Sequence, residues 1–381
     1  MKESMGKKIK SLRELFGMTQ GELAKALEVS KEFVSMVENG KRLPSLETIS
    51  RLGRVFHKDA DYFMKEEEEP FAALFRVDSL DPLVRRELTK ATKFASDYAF
   101  LEKEAEQEAA LTPDYSRKYA VRGRSFAALT AAAESLAEEE AGRLGLGSEP
   151  IADIFGLMES QGVRVIRQKM GDIRFDGVFL FSQESSAFVI INASHNIGRQ
   201  VFTAAHEYCH CLKDRDLGVQ VDMDISEAYG VGSASDLDRF ANMFAAAFLM
   251  PRSAIDKVLR GIPHIGPEEA IHLKRYFKVS YQAMVWRLFN LKRISKDLKE
   301  EFLGLKPSAL EKAIFGDTGE EIEPPRVPDR YFRLALEAYF KDKVTTSKLA
   351  ELLDVDVFTL RAALSESGLK AGRRAIEERT A

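Results

Sequence analysis

Cysteine is nearly absent from this chain: there are two among 381 residues, Cys209 and Cys211. Two positions apart on one helix, they cannot close an ordinary disulfide. A disulfide framework is therefore excluded, and a reducing, cytoplasmic setting is expected. Tryptophan occurs once and histidine six times. No apolar run reaches membrane-spanning length, so no membrane partner is expected. The opening Met1-Lys2-Glu3-Ser4-Met5-Gly6-Lys7-Lys8 leads into an amphipathic helix and lacks a signal-peptide pattern. Nor is there an excess of positive charge. The net charge of −4 gives no global attraction to nucleic acid, so DNA binding must come from a local basic surface. What remains is 45% hydrophobic and 30% charged, a globular composition, with a length that predicts two or three domains.

The most telling segment is Ala204-Ala205-His206-Glu207-Tyr208-Cys209-His210. On a helix, His206 and His210 stand one turn apart on one face, where both imidazoles can bind one Zn²⁺. Glu207 between them lies close enough to take a proton from water. The third ligand must come from elsewhere. Asp238 stands at the acidic start of the helix Ser235–Pro251, where a carboxylate would leave one coordination position open. Asp236 competes, as do Asp222, Asp224 and Glu227. Tyr229 and His195 are the nearest candidates for an oxyanion donor, and both read more simply as structural. Cys209 reads as a packed small side chain. His264 and His272 have no ligand partner in spacing, and Trp286 reads as a core anchor.

Upstream of this helix, a helix is expected over Pro150–Met158, starting at its proline. Gly162–Ile166, Val178–Phe181 and Ala187–Asn192 read as strands, with Asp176-Gly177 as a turn. They predict a small antiparallel sheet, with Ala187–Asn192 as an edge able to hold an extended substrate. The metal helix is expected over Arg199–Leu212.

At the N-terminus, Ile9, Leu12, Leu15 and Phe16 follow a helical period. Thr19 caps a second helix carrying Leu23, Ala24 and Leu27, and Glu28-Val29-Ser30 makes a turn. Ser30 caps a third helix, which Asn39-Gly40 ends. Pro44-Ser45-Leu46-Glu47 opens a fourth. Thr19-Gln20-Gly21-Glu22-Leu23-Ala24, Val29-Ser30-Lys31-Glu32-Phe33-Val34-Ser35 and Glu38-Asn39-Gly40-Lys41-Arg42-Leu43-Pro44-Ser45 together resemble the helix-turn-helix of Cro/cI-like (XRE-type) regulators. The resemblance covers residues 6–64. It implies binding to double-stranded DNA, with Gln20, Lys31, Glu32 and Ser35 facing the duplex and Lys41 and Arg42 near phosphates. Glu32 would read a cytosine amine or point away.

A second resemblance spans residues 130–295. Arg199-Gln200-x-Phe202-Thr203-x-Ala205-His206-Glu207-x-x-His210, followed by Asp238-x-x-Ala241-Asn242-x-Phe244-Ala245-Ala246-x-x-Leu249-Met250-Pro251, is similar to the ImmA/IrrE-type metallopeptidases. That family normally places a glutamate where Asp238 stands and a glycine where Cys209 stands. The resemblance implies Zn²⁺ on His206, His210 and Asp238, with Glu207 as the catalytic base. It also implies a repressor-like protein substrate, in stress response or mobile-element control. The rival expectation is a transcription factor whose metallopeptidase-like domain senses a ligand without cutting.

The domains expected are 1–64 (helix-turn-helix), 65–129 (linker and helical segment), 130–300 (metallopeptidase) and 301–381 (helical), and residues 71–145 read as helices, including Pro82–Gln107 and Tyr115–Leu144. Lys65–Glu69, a charge run before Pro70, marks the first boundary. The proline-rich Glu320–Pro328 is an extended linker. Beyond it, helices are expected over Arg330–Asp342, Thr346–Leu353 and Val357–Leu364. There Thr345-Thr346-Ser347-Lys348-Leu349-Ala350 repeats the rhythm of Thr19-Gln20-x-x-Leu23-Ala24. Either a second helix-turn-helix or a regulatory, dimerising cap fits. The fold expected is multidomain and mainly α: an all-α helix-turn-helix domain, an α+β zincin-like domain and a helical C-terminal domain. A homodimer is expected.

Overall fold

The computed structural model describes residues 2–15, 18–56, 63–64, 82–106, 112–121, 123–170, 175–182, 186–215, 219–222, 235–316 and 327–366. Within them the chain is mainly helical and divides into two compact units. One comprises Met1–Glu106 with Ser182–Ser185. The other comprises Gln107–Phe181 and Ser186–Ala381. The acidic run 65–69, Asp224, Glu227 and Tyr229 lie outside the described residues, as do 317–326 and the tail from 367.

In the first unit, α1 (Lys2–Leu15), α2 (Gln20–Leu27), α3 (Lys31–Glu38) and α4 (Leu46–Phe56) precede α5 (Pro82–Glu104). Local chemistry sets the helix ends. Thr19 caps α2 in a reciprocal box with Glu22, and Ser30 caps α3 through the Phe33 N–H. Between them Glu28 adopts φ 55°, a left-handed turn seldom taken by a residue with a Cβ. At the end of α3 only Gly40 turns left-handed, at φ 67°, while Asn39 keeps φ −86°. Helix α1 packs on α3. Gly6 makes that approach possible, because a Cβ there would lie 2.4 Å from the Val37 carbonyl oxygen. The core of these helices is apolar, built from Ile9, Leu12, Leu23, Leu27, Val34, Leu52 and their neighbours. Among its buried polar residues are Glu38 and Arg13, paired by Arg13 Nε donating to Glu38 Oε1 at 2.6 Å.

In the second unit, α6 (Phe126–Arg143) begins later than the expected Tyr115. Ser125 supplies the cap that starts it, and Gly123 just before takes φ 78°. Helix α7 (Ile154–Ser160) likewise does not start at Pro150, because Asp153 provides the cap by accepting from the Phe155 N–H at 3.1 Å. Strands β1 (Arg164–Gln168), β2 (Gly177–Ser182) and β3 (Ser186–Asn192) come next, then α8 (Ile197–Lys213) and β4 (Val219–Asp222). The sheet order is β1-β3-β2-β4.

Two expectations about this sheet are corrected. It is mixed, not antiparallel: β1 pairs with β3 in parallel, Arg164 opposite Phe188, whereas β2 and β4 are antiparallel. And β3 is no edge; it is flanked by β1 and β2. The unbroken buried run Ala187–Ile191 is the signature of a strand covered on both faces.

Helix α8 packs on β3 and on α9 (Asp236–Leu249), and α9 also packs on α6. Alanines at 132, 133, 241 and 245 let these helices approach closely. Buried Glu140 ties them further, accepting from Tyr208 Oη of α8 at 2.5 Å and from Arg143 Nη2 at 2.6 Å. Helices α10 (Arg252–Val258), α11 (Pro267–Phe277), α12 (Tyr281–Asn290), α13 (Lys296–Leu303) and α14 (Pro307–Phe315) follow. Then come α15 (Asp329–Phe340), α16 (Thr346–Leu352) and α17 (Val357–Glu366). Among the described residues no helix is long and apolar enough to cross a membrane.

Candidate functional sites

On α8 the four-residue spacing does what helical geometry requires. His206 and His210 are both fully buried, and their Nε2 atoms stand 3.1 Å apart. Each Nδ1 is committed elsewhere. His210 Nδ1 lies 2.7 Å from Asp214 Oδ2, and His206 Nδ1 lies 3.0 Å from Asn242 Oδ1 on α9. Both partners are acceptors, so each Nδ1 carries the hydrogen and each Nε2 presents a lone pair. Two lone pairs aimed at one another repel unless a cation lies between them. Zinc–nitrogen bonds of about 2.0–2.1 Å in a tetrahedral site place two nitrogens about 3.3 Å apart. The observed separation of the two nitrogens is close to that spacing.

Asp238 completes the group: one ligand atom from each of His206, His210 and Asp238 lies within 4.8 Å of the others. Asp238 is half-buried and also serves its own helix, since its Oδ2 accepts from the Ser235 N–H at 3.2 Å. Its competitor Asp236 is turned to Arg239 at 3.3 Å, with a half-exposed side chain. Asp222 belongs to β4, paired opposite Gly177.

Glu207 is fully buried and lies against the backbone of β2. A Cβ at Gly177 would fall 2.5 Å from Glu207 Oε1 and 2.6 Å from Thr203 Cγ2. Glycine at the start of β2 therefore makes room for this carboxylate. The same strand end is pinned by its neighbour, buried Asp176, which receives Arg199 Nε at 2.7 Å and Nη2 at 2.8 Å. His195 Nε2 lies 2.9 Å from Asp176 Oδ1 and 3.1 Å from the Phe175 carbonyl, so it braces this turn. Gln200 donates to the His195 and Ala193 carbonyls and accepts from Arg167.

Burial disfavours the charge on Asp214, but hydrogen bonds from His210 and Lys213 outweigh it and hold the carboxyl below its usual range. Burial pushes the Cys209 and Cys211 thiols far up, so both stay protonated. The remaining histidines and the tryptophan lie away from the cluster in sequence, and His272 makes an edge contact with Phe315. The Nδ1 partners Asp214 and Asn242 were not foreseen. Asp214 had a signal, since it stands four residues past His210, at the C-terminal cap of α8.

In the first unit, Lys31, Glu32, Lys41 and Arg42 are exposed. The Arg42 guanidinium sits 4.9 Å over the Phe33 ring. Ser35 is half-buried, its carbonyl accepting from Asn39 Nδ2 at 2.7 Å. Gln20 is also half-buried, and its Nε2 donates to Glu38 Oε2 at 2.9 Å, joining the Arg13–Glu38 pair.

Comparison with known proteins fits these two parts. Residues 9–63 match a helix-turn-helix family, and residues 158–289 match the IrrE N-terminal-like domain of the M78 peptidases. An HTH-type transcriptional regulator of Archaeoglobus fulgidus is 44% identical over 66 residues, 17% of this chain and 93% of that protein. The HTH-type transcriptional regulator RamB of Mycobacterium tuberculosis is 23% identical over 335 residues, covering 77% of this chain and 66% of RamB. The ImmF control region 10 kDa protein of Bacillus phage phi105 is 39% identical over 57 residues, 15% of this chain and 63% of that protein. This chain belongs to the helix-turn-helix transcriptional regulators, DNA-binding proteins, and carries within it an IrrE N-terminal-like domain.

Proposed function

We propose that this regulator is also a zinc-dependent endopeptidase that cleaves a repressor-like protein in stress response or mobile-element control. Its zinc would be held by His206, His210 and Asp238. The observation that carries this is the facing pair of Nε2 atoms, 3.1 Å apart, with both Nδ1 hydrogens committed to acceptors. When bound, zinc supplies Lewis acidity, polarising a peptide carbonyl and acidifying water. The chain's own groups do the rest. Asn242 and Asp214 lock the two imidazoles in the tautomer and orientation that binding needs. Glu207, buried beside Gly177, takes a proton from the attacking water and returns it to the leaving amine nitrogen.

The first unit would place this activity on double-stranded DNA, with Gln20, Lys31, Glu32 and Ser35 toward the groove and Lys41 and Arg42 near phosphates. A homodimer would set two such modules on paired half-sites. The protein would work in the cytoplasm.

A second reading is favoured by one finding: RamB, the relative that covers most of this chain, is named as a transcriptional regulator. On that reading the metal domain senses and does not cut. Glu207→Gln separates the two. A peptidase loses cleavage of a co-expressed repressor while keeping stoichiometric zinc. If regulation in cells is unchanged by Glu207→Gln, the sensor reading replaces the peptidase.

A further inference from the structure

The C-terminal helices repeat the main bonds of the N-terminal turn. Thr19 and Thr345 each cap a helix by accepting from the N–H three residues on, both at 3.2 Å. Val29 N donates to Ala24 O at 3.0 Å, and Val355 N donates to Ala350 O at 2.9 Å. The residue before each valine is left-handed, Glu28 at φ 55° and Asp354 at φ 52°. Ser30 caps the next helix through the Phe33 N–H at 3.1 Å. Its counterpart Asp356 receives the Thr359 N–H at 2.9 Å. All these partners hold one constant offset along the chain. The burial agrees as well: Leu23 matches Leu349, Val34 matches Leu360 and Val37 matches Ala363, each pair buried.

A cap, a left-handed turn and a second cap at fixed spacing determine how two helices cross. The buried positions on α17 then decide which face looks outward. We infer that residues 345–363 form a second helix-turn-helix that binds double-stranded DNA, with α17 lying in the major groove. The positions matching Lys31, Glu32 and Ser35 are Val357, Phe358 and Arg361. The first set sums to no net charge, whereas the second carries one positive charge, so the outward face suits a polyanion no less well. Phe358 is 81% exposed and Arg361 is exposed. An apolar ring that protrudes at the start of a groove-facing helix matches a thymine methyl, and arginine matches guanine or phosphate. This inference is independent of the peptidase reading, because it does not involve the zinc ligands.

The test uses the full chain with the N-terminal module silenced by Lys31→Glu and Arg42→Glu. Binding to a labelled mixed-sequence duplex of about three helical turns is followed by fluorescence anisotropy, with folding checked by circular dichroism. Salt-sensitive residual binding is expected, weakened about tenfold or more by adding Arg361→Glu and largely retained with Arg361→Lys. Absence of residual binding would overturn the inference, as would residual binding indifferent to Arg361→Glu. So would a Phe358→Asp variant that dissociates a dimer in sedimentation while leaving DNA affinity unchanged. That result would assign the face to contact with a second copy.

Discussion

His210 donates its Nδ1 hydrogen to Asp214 at 2.7 Å, the residue that caps the end of the same helix. The bond fixes which nitrogen of His210 is left for a metal, and Asn242 does the same for His206 from a different helix. The two supports are therefore distinguishable. One is local to α8, and the other depends on α9 staying packed against it.

Asp214→Ala and Asn242→Ala should each weaken zinc binding by about 10- to 100-fold while leaving the three ligands in place. Competition with a chromophoric chelator reads this directly. Unchanged affinity in both variants would show that the Nδ1 bonds do not position the imidazoles.

Gly177→Ala places a methyl group where Glu207 Oε1 and the Thr203 methyl already lie. The expected cost is about 1–3 kcal/mol of stability, as for other overpacked positions. Urea denaturation measures it. Zinc content should be retained, because the atoms nearest the new methyl belong to Glu207 and Thr203, which are not ligands. A variant as stable as the parent would mean that β2 can shift freely away from α8.

Lys31→Ala removes an exposed cation from the first turn of α3. DNA affinity should fall, and the slope of log affinity against log salt should flatten by about one. Anisotropy titrations at several salt concentrations give both numbers. An unaltered slope would remove Lys31 from the DNA contacts.

The helix-turn-helix was legible because its signals are local. Thr19, Ser30 and Gly40 act within a few residues of themselves, and the apolar spacing on α2 and α3 repeats every turn. His206 and His210 were legible for the same reason. What escaped was set by distance along the chain. The parallel pairing of β1 with β3 is invisible to a reading that takes strands in order, because β3 inserts between its two predecessors. The bond from the Gln20 amide to Glu38, at 2.9 Å, was hidden because the two residues lie eighteen positions apart and meet only when α2 and α3 fold together. Arg199 carried no assigned role in the sequence, because its partner Asp176 lies on the far side of the sheet's central strand in chain order. Asn242 stood in the quoted motif without a function, which only the packing of α9 on α8 supplies.

The two thiols on α8 have a practical use that follows from their complete enclosure. Shielded and protonated, Cys209 and Cys211 react with an alkylating reagent only when α8, which also carries both histidines, loosens from its packing. Their labelling rate is thus a native gauge of how often this scaffold breathes, and loading the imidazoles with zinc should slow it.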